Sequence, residues 1–397
     1  MPAASLSIFG AHVWHGDGFT LRDVHIVDGR ISETGTPDAT RIDATGQWLI
    51  PGLIDAHFHA YATSMDGLEN ERGPLSYTAI NGARRLTRAL QRGFTTVRDV
   101  AGGDIGLAQA IDAELFPSPR YHFTGPALSQ TGGHGDPRSA HIDVCFSHGH
   151  MCEVVDGVDN LRVAVRERLR TGAHAIKVMA SGGVFSLTDP IRIPQYSEDE
   201  LRAVVDEATR RGSYVCAHAY SSEAVQHAIT AGVRSIEHGN LIDEQTAKLM
   251  AQAGAFLVPT LAAYDAMDRR GADIGLNAIS LQKNSEVLAK GQHAVRLAHA
   301  AGVRVGFGTD LMGDLEDDQL AGIRLQVEAG SAADTLRSMT TVNAELIGDP
   351  ALGHLGAGAY GDAVLLAADP LADPSALWRQ DSRVAVIRAG APADLSA

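Results

Sequence analysis

The chain is short of cysteine, long apolar runs and basic clusters, and each shortage excludes a class of protein. Its only cysteines are Cys145, Cys152 and Cys216, an odd number too small for a disulfide framework. No apolar run approaches the roughly 20 residues that cross a bilayer. The first residues lack the basic start and apolar core of a signal peptide, and no Asn-x-Ser/Thr sequon occurs. We therefore expect a cytoplasmic protein.

The charge balance argues against nucleic acids and membranes as partners. The formal net charge is −15, and no Lys/Arg cluster forms the basic footprint that both partners need. Apolar residues make up 45% of the chain and charged residues 20%, which is typical of a globular protein.

Alternating helices and strands dominate the middle of the chain. Six times a helical pattern ends in a glycine and an apolar, β-branched run follows at once, at Gly93, Gly172, Gly212, Gly232, Gly254 and Gly302. A capping box, Ser197 with Glu200, marks a helix start. About eight such units over roughly 300 residues predict an α/β fold, a (β/α)8 TIM-type barrel, rather than the alternative of an open doubly wound sheet.

The two ends of the chain read differently from the middle. Residues 1–50 are short β segments separated by turns, and "DAVLLAAD" and "RVAVIRAG" near the other end are similar. We therefore predict a small β-sandwich domain of residues 1–50 plus 354–397, beside a barrel of residues 51–353. The G-x-G-x-x-G match at 356–361 precedes a strand instead of opening a helix, so it predicts turns and no dinucleotide site.

Candidate metal ligands follow five of the predicted barrel strands. In such a barrel the carboxyl ends of the strands share one pocket, and residues two apart on a strand share a face. Alone, each histidine could be an ordinary hydrogen-bonded residue, the lysine could form an ion pair and the aspartate could cap a helix. Together they predict a metal site. The candidates are His57, His59, Lys177, His218, His238 and Asp310.

The number of ligands indicates more than one ion. Four histidines and an aspartate exceed what one catalytic ion needs, but they suit two divalent ions about 3.5–4 Å apart. These ligand types favour zinc, although manganese, iron and cobalt accept them as well. A lysine buried beside two cations is forced toward its neutral amine, which can add carbon dioxide. Lys177 would then supply a negatively charged carbamate bridge.

These motifs resemble the amidohydrolase superfamily along nearly the whole chain. The matching segments are "PGLIDAH" with His59, "KVMASGG", His218, "EHG", "GTD" and the closing "GHLGAGAYGDAVLLAADP". "SQTGGHGD", "ASGGVFSLTDP" and "AHAYS" are similar to a narrower group of Xaa-Pro dipeptidase-like, carboxypeptidase-like and imidazolonepropionase-related enzymes. The resemblance implies one ion held by His57, His59 and Asp310. It places a second ion on His218 and His238, with carboxylated Lys177 between them.

The implied reaction is hydrolysis of an amide bond in a small peptide or N-acyl amino acid. A water bridging two divalent ions loses a proton near neutral pH, and the resulting hydroxide would attack the carbonyl carbon. Asp310 would take that proton and pass it to the leaving nitrogen, with His238 and Lys177 completing the catalytic set. By the same resemblance His134 and Tyr220 would contact the substrate, and we expect a homo-oligomer.

The same motifs are compatible with other functions. The same site could hydrolyse a neutral urea, carbamate or lactam, or it could be a mononuclear cyclic-amide hydrolase or deaminase in which Lys177 is structural. An inactive scaffold with the same barrel is a further alternative. His134 lies in a long segment, residues 125–157, where it could simply bond its own loop while Tyr220 packs. The other residues of this segment that could carry chemistry are expected to be solvent-facing histidines and loop thiols: His141, His148, His150, Cys145 and Cys152.

Overall fold

A computed structural model describes residues 5–141, 144–186 and 189–395. Its strands are β1 Leu6–Trp14, β2 Phe19–Val27, β3 Arg30–Ser32, β4 Thr40–Asp43, β5 Trp48–Pro51, β6 Leu53–Phe58, β7 Phe94–Asp99, β8 Arg120–Phe123, β9 Ala127–Ser129, β10 Cys152–Val154, β11 Ile176–Met179, β12 Val215–Ser221, β13 Ser235–Leu241, β14 Phe256–Val258, β15 Arg304–Val305, β16 Ala363–Leu366, β17 Arg383–Arg388 and β18 Ala391–Pro392. Its α-helices are α1 Gly67–Arg72, α2 Leu75–Gln91, α3 Ile105–Asp112, α4 Val158–Arg170, α5 Glu198–Arg210, α6 Ser222–Thr230, α7 Glu244–Gln252, α8 Leu261–Arg270, α9 Ala278–Ala301, α10 Gln319–Ala329, α11 Ala332–Arg337 and α12 Asn343–Ile347. A π-helical turn at Ser338–Val342 connects α11 with α12.

One sheet joins the two ends of the chain. Its strand order is β18-β17-β16-β5-β1-β2-β3, with β4 paired to β1. The antiparallel pairing of β16 with β5, in which Val364 faces Ile50, links the C-terminal strands to the N-terminal ones. Its buried face includes Leu6, Ile8 and Val24. The division into residues 1–50 plus 354–397 and residues 51–353 stays a prediction.

The middle of the chain forms the predicted (β/α)8 barrel. Parallel strands β6, β7 and β8 make one section, and β9 with β11 to β15 make the other. Hydrogen bonds close both seams: the His174 amide donates to the Phe123 carbonyl (2.7 Å), and the Ala56 amide to the Phe307 carbonyl (2.9 Å). Helices cover the outside, and apolar residues fill the space between the two layers.

The local signals in the sequence are confirmed. All six glycines predicted to end helices have positive φ, between 64° and 98°, which a residue with a Cβ adopts only with strain. Ser197 and Glu200 form the predicted capping box at the start of α5. None of the helices in the described residues is long and apolar enough to span a bilayer.

The segment 125–157 is more ordered than the sequence indicates. Two short parallel strands, β9 and β10, pair with each other inside it. Cys152, expected to be a loop thiol, is instead buried in β10, because it packs in an apolar cluster with Ala127 and Met151. His150, expected to face solvent, is only partly exposed and its Nε2 donates to the Gly73 carbonyl at 2.9 Å. His141, His148 and Cys145 are exposed, as expected.

Candidate metal centre

Four predicted ligands meet at the carboxyl end of the barrel. One ligand atom from each of His57, His238 and Asp310 lies within 4.8 Å of the others. Asp310 Oδ1 is 2.9 Å from His59 Nε2 and 3.3 Å from His57 Nε2. These residues come from β6, from β13 and from the turn after β15, so the fold brings together positions separated by up to 253 residues.

His218 and Lys177 complete the group. The rings of His218 and His238 are 4.5 Å apart between centroids. Lys177 lies in β11 and is 2% exposed. Burial is the main cause that lowers the pKa of both histidines, and the charge of Lys177 lowers it further. In the part of the chain that the structure describes, Lys177 has no hydrogen bond or ion pair. The candidate ligands predicted from the sequence therefore lie together at the carboxyl end of the barrel.

Hydrogen bonds fix which ring nitrogen of three histidines stays available. His57 Nδ1 donates to Glu237 Oε2 at 2.7 Å, and His59 Nδ1 donates to the Ala101 carbonyl at 3.3 Å. His218 Nε2 donates to the Gly182 carbonyl at 3.1 Å. A ring nitrogen that donates leaves the other nitrogen with a free lone pair, which is what a metal ligand requires.

Left-handed backbone conformations orient the side chains of His238 and Asp310. Along β13, Glu237 points into the barrel, and regular alternation would turn His238 to the opposite face. His238 instead has a φ of 78°, and its ring lies 5.1 Å from that of His57. Asp310 has a φ of 55°, and Thr260, which hydrogen-bonds His238 Nδ1 at 2.7 Å, has a φ of 48°. Such left-handed residues cost about 1–3 kcal/mol each and concentrate at functional sites.

A buried ion pair beneath the site was missed in the sequence. Glu237 accepts hydrogen bonds from Arg98 Nη2 (2.7 Å), Ser235 Oγ (2.6 Å) and His57 Nδ1 (2.7 Å). Burial alone would raise the pKa of Glu237, but the charge of Arg98 and the bond from His57 lower it well below its usual range. Glu237 is therefore an anion that fixes the His57 ring. An arginine inside the apolar strand "FTTVRD" was the signal for this pair.

A second buried carboxylate connects the first barrel strand to the last. Asp55 accepts from the amides of His57 and Thr309 (both 3.1 Å), from Thr309 Oγ1 (2.6 Å) and from Gln319 Nε2 (3.0 Å). These bonds hold the backbone on both sides of the junction between His57 and Asp310. Asp55 stands in the quoted "DAH" motif, yet nothing in its spacing indicated this role.

Burial controls the charge of the candidate ligands. It lowers the pKa of His218 and of His238 well below the usual value, so both rings are neutral. Burial alone would raise the pKa of Asp310, but the charge of His57 and hydrogen bonds from His57 and His59 hold it well below its usual range. His218 and His238 are thus neutral imidazoles beside the Asp310 carboxylate.

The predicted substrate contacts lie next to this group. His134 stacks on His218 with centroids 4.2 Å apart, and its Nδ1 is 3.1 Å from Ser186 Oγ. Tyr220 stacks on His238 at 5.0 Å and its hydroxyl is 2.9 Å from that of Tyr264. Tyr264, missed in the sequence, also lies 2.8 Å from His238 Nδ1.

An apolar wall adjoins these aromatic residues. It combines residues of the segment after β11, of α8 and of the turn after β15 with Tyr220 and Tyr264. Its buried members include Val184, Leu241, Met267 and Leu311, while Met65 and Phe185 pack against it partly exposed.

A family model describes the same chain. Residues 48–392 match the amidohydrolase family, so this protein belongs to that family. The match covers the whole barrel and, in the terminal sheet, strands β5, β16, β17 and β18. The chain is accordingly a hydrolase of carbon–nitrogen bonds, in a family whose members typically depend on metal ions.

Three individual proteins show which members of the family the chain is similar to. Ochratoxinase of Aspergillus niger is 33% identical over 351 residues, which cover 82% of this chain and 71% of that enzyme. A crystal structure of a prolidase complexed with N-methylphosphonate-L-proline is 41% identical with a TM-score of 0.94, covering 98% of this chain and 99% of the other. A Xaa-Pro dipeptidase structure with methionine in its active site is 28% identical, with a TM-score of 0.87 and coverages of 98% and 99%.

Proposed function

We propose that the protein is a binuclear metal-dependent hydrolase that cleaves the amide bond of a small peptide or an N-acyl amino acid. The observation that carries this proposal is the meeting of His57, His59, His218, His238 and Asp310 in one buried group, with Lys177 beside it. Three of the histidines each donate one ring N–H to the protein, which leaves a nitrogen for a metal ion.

The donor set fits two divalent ions. Imidazole nitrogens and a carboxylate are ligands that zinc accepts, and five such donors exceed one tetrahedral ion with an open position. We propose one ion on His57, His59 and Asp310, and another on His218 and His238. Ions in these positions would supply the Lewis-acid chemistry that makes a water molecule acidic near neutral pH.

Lys177 is proposed to carry a carbamate. A buried ammonium without a paired anion is costly, and Lys177 is 2% exposed with no ion pair among the described residues. Loss of one proton gives the neutral amine, and addition of carbon dioxide to its Nζ then forms a carbon–nitrogen bond and releases a second proton, which leaves the side chain as a carbamate anion. That anion would balance the charge of the two cations.

Proton transfer is assigned to Asp310. Its Oδ1 is fixed by His57 and His59, while Oδ2 lies 3.8 Å from His238 Nδ1. We propose that this carboxylate accepts the proton of the attacking water and returns it to the leaving nitrogen. Thr260 and Tyr264 hold His238 through Nδ1, so Nε2 is the atom that it offers to the reaction.

The substrate class is inferred from the relatives and from the residues facing the site. Two similar structures hold an amino acid or an N-substituted amino acid. We propose that His134 and Tyr220 contact the corresponding part of the substrate, and that the apolar wall receives its side chain. A screen of dipeptides and N-acyl amino acids on the zinc-loaded protein identifies the preferred member, and amides without the carboxylate test its contribution.

Asp310→Asn tests the reaction. We expect kcat to fall by about 1,000-fold, within the range for loss of a general acid–base group, while the variant keeps most of its metal. Asp17→Asn is the control, because Asp17 is 91% exposed and lies in the turn between β1 and β2 of the terminal sheet. Full activity of the Asp310 variant would refute the assignment, and one ion per chain by elemental analysis would favour a mononuclear enzyme instead.

A cytoplasmic location and a homo-oligomeric state remain expectations from the sequence. Gel filtration with light scattering tests the oligomeric state, and fractionation of the source cells tests the location.

A further inference from the structure

The ammonium group of Lys283 donates all of its hydrogen bonds to one segment of the chain. The residue lies on α9, and its Nζ donates to the carbonyl oxygens of Gly183 (2.9 Å), Ser186 (2.7 Å) and Asp189 (2.9 Å). These acceptors belong to the segment that follows β11, of which residues 180–186 and 189–195 are described. An ammonium has three N–H bonds, so none remains for a substrate.

The residues bound by Lys283 surround His134 from several sides. Gly183 packs so closely on the His134 ring that a Cβ at this glycine would lie 2.0 Å from Cε1. Ser186 Oγ contacts His134 Nδ1 at 3.1 Å. The segment therefore decides where the ring of His134 lies.

Two buried side chains extend this arrangement. Asp189 accepts from Gln195 Nε2 at 2.9 Å and from the Ser186 hydroxyl. Gln195 Oε1 in turn accepts from the His134 amide at 3.0 Å. Asp189 and Gln195 are each 5% exposed. His134 is thus held at its backbone and at its ring by residues that Lys283 anchors.

Helix α9 also reaches the aromatic side of the site. Asn284, next to Lys283, is buried and its Nδ2 donates to the Tyr264 carbonyl at 3.0 Å. Arg192, in the segment after β11, forms an ion pair with Glu286 one turn along the helix. The same helix therefore contacts both walls beside the candidate ligands.

We propose that Lys283 is a positioning residue that sets substrate affinity by fixing the segment after β11 and, through it, His134. This role rests on the proposed function, in which His134 contacts the substrate. Because all three N–H groups of Lys283 donate to carbonyl oxygens, Lys283 acts on substrate binding through His134 and takes no part in bond cleavage.

The test compares Lys283→Met, which removes all three hydrogen bonds, with Lys283→Arg and with the control Lys290→Met. Lys290 lies exposed on the same helix and has no hydrogen bond or ion pair with any described residue. With a dipeptide or N-acyl amino acid cleaved by the wild type, we expect Lys283→Met to raise KM about tenfold or more. Its kcat and metal content stay within about threefold of wild type. Lys283→Arg falls between the two, because a planar guanidinium cannot reproduce three converging bonds.

Hydrogen–deuterium exchange supplies a readout that does not depend on activity. Peptides covering residues 180–186 should exchange at least about tenfold faster in Lys283→Met and unchanged in Lys290→Met. If the wild type cleaves none of these amides but the exchange result holds, the proposed function fails while the anchoring role stands. Unchanged exchange together with an unchanged KM, or a loss of metal and kcat with KM unaltered, overturns the inference.

Discussion

Glu237→Gln is the change whose effect the structure defines best. Glu237 and Arg98 are both completely buried and their charged groups are 2.7 Å apart. The glutamate accepts three hydrogen bonds, whereas glutamine has one acceptor oxygen and an NH2 group that would face another donor. The substitution therefore removes the anion and turns at least one favourable contact into a donor–donor clash.

The size of the expected stability loss follows from the charge that Arg98 keeps when Glu237 is neutralised. Breaking a buried ion pair by neutralising one member typically costs about 3–5 kcal/mol, because the other charge stays buried without compensation. We therefore expect the free energy of unfolding of the metal-free protein to fall by about 4 kcal/mol in denaturant titrations. Metal affinity should fall as well, by about 10- to 100-fold, because the carboxylate orients the His57 ring.

A control variant and a double variant test whether the stability loss comes from the unpaired buried charge of Arg98. Glu167→Gln removes an exposed pair with Arg170, for which the expected loss is below about 1 kcal/mol. Arg98→Met combined with Glu237→Gln should be more stable than Glu237→Gln alone, because no buried charge is then left unpaired. A Glu237→Gln protein within about 1 kcal/mol of wild type, with unchanged metal affinity, would refute this account of the network.

Two further predictions concern stability away from the ligands. Burial raises the pKa of Glu71 to about 7 from its usual 4.5, against hydrogen bonds from the Met151 and Cys152 amides. The folded state therefore binds this proton more tightly than the unfolded chain, so stability from this group is present below about pH 4.5 and is lost as pH rises to about 7. Glu71→Gln should gain up to about 3 kcal/mol over wild type by pH 8 and little at pH 4.5, and a difference that does not grow with pH in denaturant titrations would contradict this. Asn343 bonds the Ile54 and Phe307 carbonyls (both 2.8 Å) and the Phe307 amide (3.2 Å) at the barrel seam, so Asn343→Ala should lose about 3 kcal/mol. Asn160→Ala, on the surface, serves as its control, and equal denaturation midpoints for the two variants would show that the seam does not need this side chain.

The barrel could be predicted from the sequence because the signals for its helices and strands are local. Glycines at helix ends, the Ser197 capping box and short apolar runs act over a few residues, and each is found where it was predicted. The segment 125–157 was described less well, since its strands β9 and β10 are only three residues long and are stabilised by pairing across the segment. Such pairing leaves little trace in a pattern of neighbouring residues.

The candidate ligands could be named for a different reason. Each lies in the carboxyl-terminal part of a predicted strand or just after it, and the carboxyl ends of barrel strands must meet, so position in the sequence implied position in space. The residues that hold the ligands obey no such rule. Arg98, Glu237 and Asp55 lie within strands, where only their neighbours across the barrel decide whether they are paired. Lys283 lies on α9, one of the helices around the barrel strands, and is 100 residues along the chain from its farthest acceptor, the Gly183 carbonyl.

The sequence by itself determined most of the barrel's strands and helices, because helix ends and apolar runs depend on adjacent residues, and it identified the metal-ligand candidates, because the strand ends of a barrel must meet. Only the tertiary structure decided which nitrogen of each histidine is available, how His238 turns back into the pocket with a φ of 78°, and what fixes His134. Those properties depend on hydrogen bonds between residues far apart in the chain, and no local pattern encodes such bonds.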